Sequence, residues 1–272
     1  MPWVIDVPPA LQDRARDFLA ARGGANVAAP RDAATVVLLR DGAPGAGPEV
    51  YLLRRAGSMA FAAGMHVFPG GSVDPRDREA VVPRDADWAC RLRCPPELAR
   101  VLVCAAVRET FEESGVLLAG PGPDEVLADT TGADLERDRL ALLERSLSMA
   151  GLLARHGLVL RSDLMRAWAH WVTPEFEAKR FDTRFFVAAV PPGQVARDVS
   201  GEADDTVWLP VRVAVDRHDA GSLAMLAPTI VTLREIAGHD TVAGVLAAPR
   251  TVRRVMPRLV VENGRLLLAV DL

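Results

Sequence analysis

The chain has 272 residues, of which 50% are hydrophobic and 25% charged, which is typical of a globular protein with one elaborated domain or two small ones. A net charge of −4 and a pI of about 5.8 argue against a general nucleic-acid binder, which is usually basic. We find no basic segment followed by an apolar core at the N-terminus and no run near 18 apolar residues, so we expect a cytoplasmic protein without a membrane span. Three cysteines without paired spacing, Cys90, Cys94 and Cys104, fit free thiols in a reducing compartment.

The first elements form a short preamble and a hairpin. Residues 10–21 predict a helix, and the apolar runs at 35–40 and 50–55 predict two strands joined by a loop rich in glycine and proline. Arg54 and Arg55 close the second strand, where a guanidinium group could bind a phosphate; the alternative is a pair of surface arginines.

A glycine-rich turn follows the hairpin. Val67-Phe68 lead into Pro69-Gly70-Gly71, where a chain can leave a strand with its backbone close to a ligand. His66 precedes this turn; it could contact a phosphate, but packing against the sheet is the commoner role for a histidine between apolar residues.

A helix is predicted from Pro95 or Pro96 to Gly115, followed by a strand at 116–118. Its last turns carry Glu109, Glu112 and Glu113, which share one face at a helical pitch of about 100° per residue. Like charges at this spacing repel one another, and a hard divalent cation such as Mg²⁺ would offset the repulsion. The alternative is an acidic, solvated helix face.

The turn and the helix together resemble the Nudix box, the signature of hydrolases that cut nucleoside diphosphates linked to another group. The second half of that box is matched by Arg108, Glu109, Glu112, Glu113, Gly115 and Val116. The spacing departs from the family: Arg108 follows Gly71 by 37 residues instead of 14, so 23 residues have been inserted. Counting forward from Gly71 puts Asp77 in the place of the family's first glutamate, counting back from Arg108 reaches Arg100, and Glu97 lies on the Arg108 face of the helix; the choice stays open.

The segment from Arg54 to Gly71 resembles a branch of the family with a lengthened box, which includes coenzyme A diphosphatases of the peroxisomal kind. The match is partial, because bacterial coenzyme A enzymes carry a further arginine where this chain has Ala60. Coenzyme A and acyl-coenzyme A are therefore candidate substrates.

The rest of the chain predicts further elements. The insertion at 74–96 is rich in proline, which indicates irregular structure capping the site, and 122–170 predict two or three helices that line a substrate pocket or form a dimer contact. A strand is predicted at 181–190, with Arg184 near its start. Helices at 211–218 and 227–237 and a terminal hairpin turning at Asn263-Gly264 follow.

The resemblance implies a Nudix α/β/α sandwich with a mixed sheet. We expect one domain over 1–272, with a core at 35–210 and a C-terminal extension at 211–272. Glu109, Glu112 and Glu113 would bind Mg²⁺ or Mn²⁺ and Arg108 would orient them. Glu109 or Glu202 would act as general base, with Asp205 the alternative in the later loop, while the contacts to substrate would come from Arg54, Arg55, Gly70, Gly71 and Arg184.

The expected activity is hydrolysis of a small nucleotide derivative by water attack on its diphosphate. The alternative from another class is a Nudix-fold sensor that binds a nucleotide without cutting it. Three clustered carboxylates argue against the sensor, because a pure binder has no evident need for them.

Overall fold

A computed structural model describes residues 3–8, 11–21, 27–57, 62–197, 199 and 203–271. Its centre is a mixed sheet with the strands β2 (Arg31–Asp41), β3 (Pro48–Arg55), β4 (His66–Val67), β5 (Gly70–Ser72), β8 (Met165–Val172), β9 (Phe181–Ala189), β10 (Ala203–Pro210) and β11 (Arg254–Val255). In this sheet β10, β3, β2, β9, β8 and β11 are neighbours in that order, while β4 pairs with β3 and β5 with β2. The pairs β2/β9 and β8/β11 are parallel and the others are antiparallel.

One face of the sheet is covered by α2 (Asp85–Leu92), α3 (Pro96–Ser114), α4 (Ala133–Leu143) and α5 (Met149–His156). The helix α3 begins at Pro96, whose missing N–H costs nothing in a first turn, and lies in the apolar core against β2. Buried side chains from all four helices and from alternate strand positions, such as Val36 and Leu38, form this core.

The opposite face packs against α6 (Val211–Asp219), α7 (Ala227–Ile236) and α8 (Val242–Ala247). Strand positions of the other parity, such as Val37 and Leu39, point into this second core. Trp168 and Trp171 are buried there on β8, so both tryptophans act as core anchors. Helices on both sides of a mixed sheet confirm the predicted α/β/α sandwich.

A small second sheet joins the two ends of the chain. Its order is β1 (Trp3–Asp6), β13 (Arg265–Val270) and β12 (Arg258–Glu262), with α1 (Gln12–Ala20) against it. The turn between β12 and β13 has positive φ at Asn263 and at Gly264, as the sequence predicted for this hairpin.

The predicted strand at 116–118 is wrong. Residues 115–118 belong to no strand, and β6 (Ala119–Gly120) pairs with β7 (Val159–Leu160), outside the main sheet. The side chain of Gln194 supplies the hydrogen bonds that a neighbouring strand would otherwise make. Its Oε1 accepts from Leu117 N at 2.9 Å, and its Nε2 donates to the Leu117 and Leu127 carbonyls at 2.9 and 2.8 Å. A buried backbone needs hydrogen-bond partners but not a strand to supply them.

Both insertions also differ from expectation. Residues 74–96 are not irregular throughout, because α2 lies within them and buries Trp88 and Leu92 in the first core. The helical segment predicted at 122–170 ends at His156, since the following residues form β7, a 3-10 turn and then β8. The alternation of exposed and buried residues at the start of β8 is that of a strand.

The remaining predicted elements are confirmed within a few residues at each end, including the β2/β3 hairpin and the helices α1, α6 and α7. None of the helices in the described ranges is both long enough and apolar enough to cross a membrane.

Candidate active site

The end of α3 presents the three glutamates beside the glycine-rich turn. The helix stops at Gly115, whose φ of 71° is a left-handed conformation that favours glycine at a helix C-terminus. Glu112 and Glu113 are largely buried in its last turn, and the side chain of Glu109 is 13% exposed. Glu109 and Glu112 share Arg108 as a partner, whereas Glu113 accepts from the Gly70 N–H, so all three carboxylates lie beside the glycine-rich turn.

Arg108 is the centre of this cluster. Its Nη1 donates to Glu109 Oε1 at 2.7 Å and to both carboxylate oxygens of Glu112 at 3.2 Å. Its Nε and Nη2 donate to the two carboxylate oxygens of Asp77 at 2.9 and 3.1 Å, and Nη2 also reaches the Ser72 carbonyl at 2.9 Å. All three guanidinium nitrogens therefore bind within the cluster, which fixes two of the glutamates relative to the turn.

Asp77, one of the candidates for the first acidic position of the box, lies in the cluster. It is 1% exposed and binds Arg108 bidentately across 31 residues of chain. A 3-10 helix at Pro75–Glu79 holds it there, with Asp74 and Asp77 accepting each other's backbone N–H in a capping box. Glu97 lies exposed in the first turn of α3. Of the candidates that the sequence left open, Asp77 is therefore the one that contacts Arg108 in this structure.

Gly70 and Gly71 allow the strand β5 to lie against α3. A Cβ on Gly71 would come within 2.6 Å of three carboxyl atoms of Glu109, and one on Gly70 would come within 2.5 Å of the Ala34 carbonyl oxygen. The Gly70 N–H donates to Glu113 Oε2 at 2.8 Å. Both glycines therefore contact or border the helix carboxylates, whereas the sequence had suggested contacts to substrate.

The electrostatics leave this site short of positive charge. Burial raises the pKa of Glu109 to about 7, with Arg108 opposing and Glu112 adding to the effect. Burial also raises the pKa of Glu112, again against the influence of Arg108. Burial acts to lower the pKa of Arg108, but Asp77 and the two glutamates outweigh it and raise the value. One guanidinium only partly compensates this many carboxylates.

The donor chemistry fits a hard divalent cation, since the side chains of Glu109, Glu112 and Glu113 offer carboxylate oxygens. In the described ranges, however, no three His, Cys, Asp or Glu side chains are arranged as a ready metal site. Two of the glutamates turn to Arg108 and the third to Gly70 N–H, so a cation would require their side chains to reorient.

Arg54 and Arg55, which were predicted to contact substrate, lie on opposite faces of the sheet. Alternation along β3 puts Arg55 on the face of α3, with Leu53, and Arg54 on the opposite face, where its charge acts on His66. The side chain of His66 is half-buried, and its buried Nδ1 has no hydrogen-bond partner among the described residues, so the structure favours the packing role for it.

Arg184 lies in a different charged group. It is 5% exposed and binds Asp182, which also accepts from His170 Nε2 at 2.7 Å. The structure therefore does not bring Arg184 to the box glutamates. The predicted base Glu202 lies outside the described residues, and its alternative Asp205 is exposed on β10 opposite Arg54.

Sequence reasoning missed the contribution of α4. Arg139 is 2% exposed and donates from Nη1 to the Glu112 carbonyl at 2.8 Å, while Nε and Nη2 bind Glu136 at 3.0 and 2.6 Å. Thr130 donates to the Gly115 carbonyl at 2.7 Å. In the sequence, Arg139 looks like half of an ordinary surface pair with Glu136, so no local signal marks it.

The mixed sheet between helices and the Arg108 cluster against Gly70-Gly71 together define the Nudix class. Comparison with known proteins agrees: a profile described as the NUDT19 Nudix domain matches residues 84–236, more than half of the chain. The chain belongs to this family within the Nudix hydrolases.

Two relatives and one solved structure are similar to this chain, and each is named as a Nudix protein or a NUDT19 protein. The acyl-coenzyme A diphosphatase NUDT19 of Gallus gallus is 28% identical over 257 residues, covering 75% of this chain and 67% of that protein. Its Homo sapiens counterpart is 30% identical over 199 residues, covering 55% of this chain and 50% of that protein. The chain thus spans between half and two thirds of these relatives. A NUDIX hydrolase from Alicyclobacillus acidocaldarius has a TM-score of 0.70 at 28% identity, covering 83% of this chain and 99% of that one.

Proposed function

We propose that the chain is a metal-dependent hydrolase of a nucleoside diphosphate linked to another group, with acyl-coenzyme A or coenzyme A as the leading candidate substrate. The observation that carries the proposal is the buried cluster in which Arg108 joins Asp77, Glu109 and Glu112 beside the glycine turn. The names of the relatives support the choice of substrate.

In this proposal Glu109, Glu112 and Glu113 bind Mg²⁺ or Mn²⁺. When bound, the cation offsets the charge of the diphosphate and makes water more acidic. Arg108 orients Glu109 and Glu112, and Asp77 holds Arg108 through two hydrogen bonds that leave the guanidinium a single orientation.

The reaction is attack of water on one phosphorus of the diphosphate. The bond from that phosphorus to the bridging oxygen breaks, the phosphate on the other side leaves with the electron pair, and the water proton passes to a carboxylate. Glu109 is the leading base, because its carboxylate lies in the cluster beside Gly71 and metal-bound water needs only modest help to lose its proton. Glu202 stays the alternative. The products are a nucleoside monophosphate and the remaining phosphorylated group.

The nucleotide-sensor alternative has no specific observation in its favour. The family match and the names of the relatives point to hydrolases.

The test is a substrate panel of acyl-coenzyme A, coenzyme A, NADH, ADP-ribose and diadenosine polyphosphates, assayed with Mg²⁺, with Mn²⁺ and with EDTA. We expect cleavage at the diphosphate that needs the metal, with acyl-coenzyme A or coenzyme A preferred. Turnover of none of the panel, or turnover that EDTA leaves unchanged, would refute the proposal.

A further inference from the structure

The loop between α4 and α5 lies beside the candidate active site. Within α4, Arg139 binds the Glu112 carbonyl, which brings this helix against the last turn of α3. After α4, Arg76 Nη1 donates to the Arg145 carbonyl at 2.6 Å and to the Leu147 carbonyl at 3.3 Å. The loop that contains Arg145 is therefore bound on two sides to parts of the site.

Arg76 is a rigid link between the two insertions. Its Nε and Nη2 bind both carboxylate oxygens of Asp74 at 3.0 and 2.9 Å, and its backbone N–H binds the same side chain at 2.8 Å. Asp74 in turn caps the 3-10 helix that carries Asp77, the residue bound to Arg108. Arg145 is thus positioned relative to the carboxylate cluster by a continuous set of hydrogen bonds.

The side chain of Arg145 is exposed, and across the described ranges its guanidinium makes no hydrogen bond or ion pair. The backbone of the same residue is held by Arg76, so this guanidinium belongs to a loop that is fixed to the Asp77 side of the cluster. The Arg145 backbone has a φ of 58°, a conformation that costs an arginine energy and that glycine or asparagine would adopt more easily. An arginine kept at a strained position beside the site, with its charge unpaired, is available to a ligand.

The negative charge of a diphosphate can be bound by a guanidinium group that has no other partner. Arg108 already has its nitrogens bound to Asp77, the two glutamates and the Ser72 carbonyl, so it cannot bind substrate without breaking the cluster. A guanidinium on the open side can donate to non-bridging phosphate oxygens and bring the anion toward the carboxylates.

We propose that Arg145, from the loop after α4, binds the diphosphate group of the nucleotide substrate at the mouth of the active site. The inference deepens the proposed function and rests on it for the location of the substrate. In this proposal the helical segment lines the substrate site, which is one of the two roles that the sequence left open.

The test compares Arg145→Gln with the matched control Arg137→Gln. Arg137 lies on α4, is 71% exposed and, among the residues that the structure describes, pairs only with the exposed Asp134 at 2.9 Å, so both variants lose one positive charge from the same segment. ADP, the simplest nucleoside diphosphate, is the probe, and its Kd is measured calorimetrically with Mg²⁺ present. Thermal melting checks that each variant folds.

We expect about a tenfold weaker Kd for ADP in Arg145→Gln, a change within about twofold in Arg137→Gln, and partial recovery in Arg145→Lys. With the preferred substrate of the panel, KM should rise by a similar factor while kcat stays within about twofold. Equal affinities in the two glutamine variants, or no ADP binding by the wild type, would overturn the proposal. So would a shifted pH profile of kcat with unchanged Kd and KM, since Arg145 would then act only on Glu112.

The two proposals fail in different ways. A wild type that binds ADP through Arg145 but cuts nothing on the panel would refute the hydrolase and leave the diphosphate site. An active enzyme in which Arg145→Gln changes neither Kd nor KM would refute the role of Arg145 and leave the hydrolase.

Discussion

The two glycines of the turn differ in what a methyl group would displace. At Gly71 the nearest atoms to it are at the flexible end of Glu109, at 2.6 Å, whereas at Gly70 they include the backbone of Ala34 and Thr35 at 2.5 and 2.7 Å. Gly71 therefore matters for the position of a carboxylate, and Gly70 for the pairing of β5 with β2.

We predict that Gly71→Ala folds with nearly the wild-type melting temperature but loses at least about tenfold in kcat/KM, because Glu109 must leave its place beside Arg108. Gly70→Ala should lower the free energy of unfolding by about 3 kcal/mol, since backbone cannot yield as a side chain can. Urea unfolding and steady-state kinetics measure both. Gly132→Ala is the control, because no described atom beyond its chain neighbours lies within 4 Å of an added Cβ. A destabilised Gly71→Ala with normal kcat/KM would refute this role of Gly71.

His66 gives a second test at the scale of single residues. Burial lowers its pKa, with the charges of Arg54 and Arg217 in support and the Ala224 backbone and Asp205 in opposition. In the part of the chain that the structure describes, its buried Nδ1 has no hydrogen-bond partner. The folded state therefore disfavours the imidazolium.

Because the unfolded chain then binds the proton more readily, His66 makes the free energy of unfolding fall as the pH drops below about 6.5. We predict that the stability of the wild type relative to His66→Asn decreases between pH 7.5 and 5.5. Chemical denaturation of both proteins at each pH measures this difference, to which groups unchanged in both contribute equally. A difference that is independent of pH would show that the packing of His66 does not depend on its charge.

At the scale of elements, α4 supports the end of α3. The last turn of α3 has two glutamates and no basic residue of its own, which is unfavourable at the negative end of a helix dipole. The buried guanidinium of Arg139, bound to the Glu112 carbonyl and to Glu136, supplies the missing positive charge.

We predict that Arg139→Met lowers the free energy of unfolding by about 3 kcal/mol, because it removes the buried partner of Glu136 and of the Glu112 carbonyl. Amide hydrogen exchange at the C-terminal end of α3 should become faster in the same variant. Arg137→Met on the exposed side of α4 should cost less than about 0.5 kcal/mol. Equal costs for the two variants would mean that Arg139 acts as an ordinary surface charge.

For the whole molecule, the sequence predicts the elements with a strong local pattern. The strands beginning near 35, 50 and 181, the box helix with its end at Gly115, and the Asn263-Gly264 hairpin all follow from hydrophobic spacing and turn residues. The shared face of Glu109, Glu112 and Glu113 follows from helical geometry alone.

Features that depend on contacts between residues far apart in the chain could not be predicted from the sequence. Asp77 was one of three candidates, because its selection rests on Arg108, 31 residues later. The error at 116–118 arose because Gln194, 77 residues away, supplies the hydrogen bonds of Leu117. Arg184 has the right residue type for phosphate, but its neighbour Asp182 determines where it points.

Metal-dependent cleavage of a diphosphate by the carboxylates of the Arg108 cluster is the reaction that we propose for this chain. The most direct measurement is the kcat of Glu112→Gln on the preferred panel substrate with saturating Mg²⁺, beside the exposed control Glu144→Gln. We predict a loss of about a hundredfold or more for Glu112→Gln, with near wild-type activity in the control and with EDTA abolishing turnover in the wild type. Full activity in Glu112→Gln would contradict the account, because the cluster would then not be the site of the reaction.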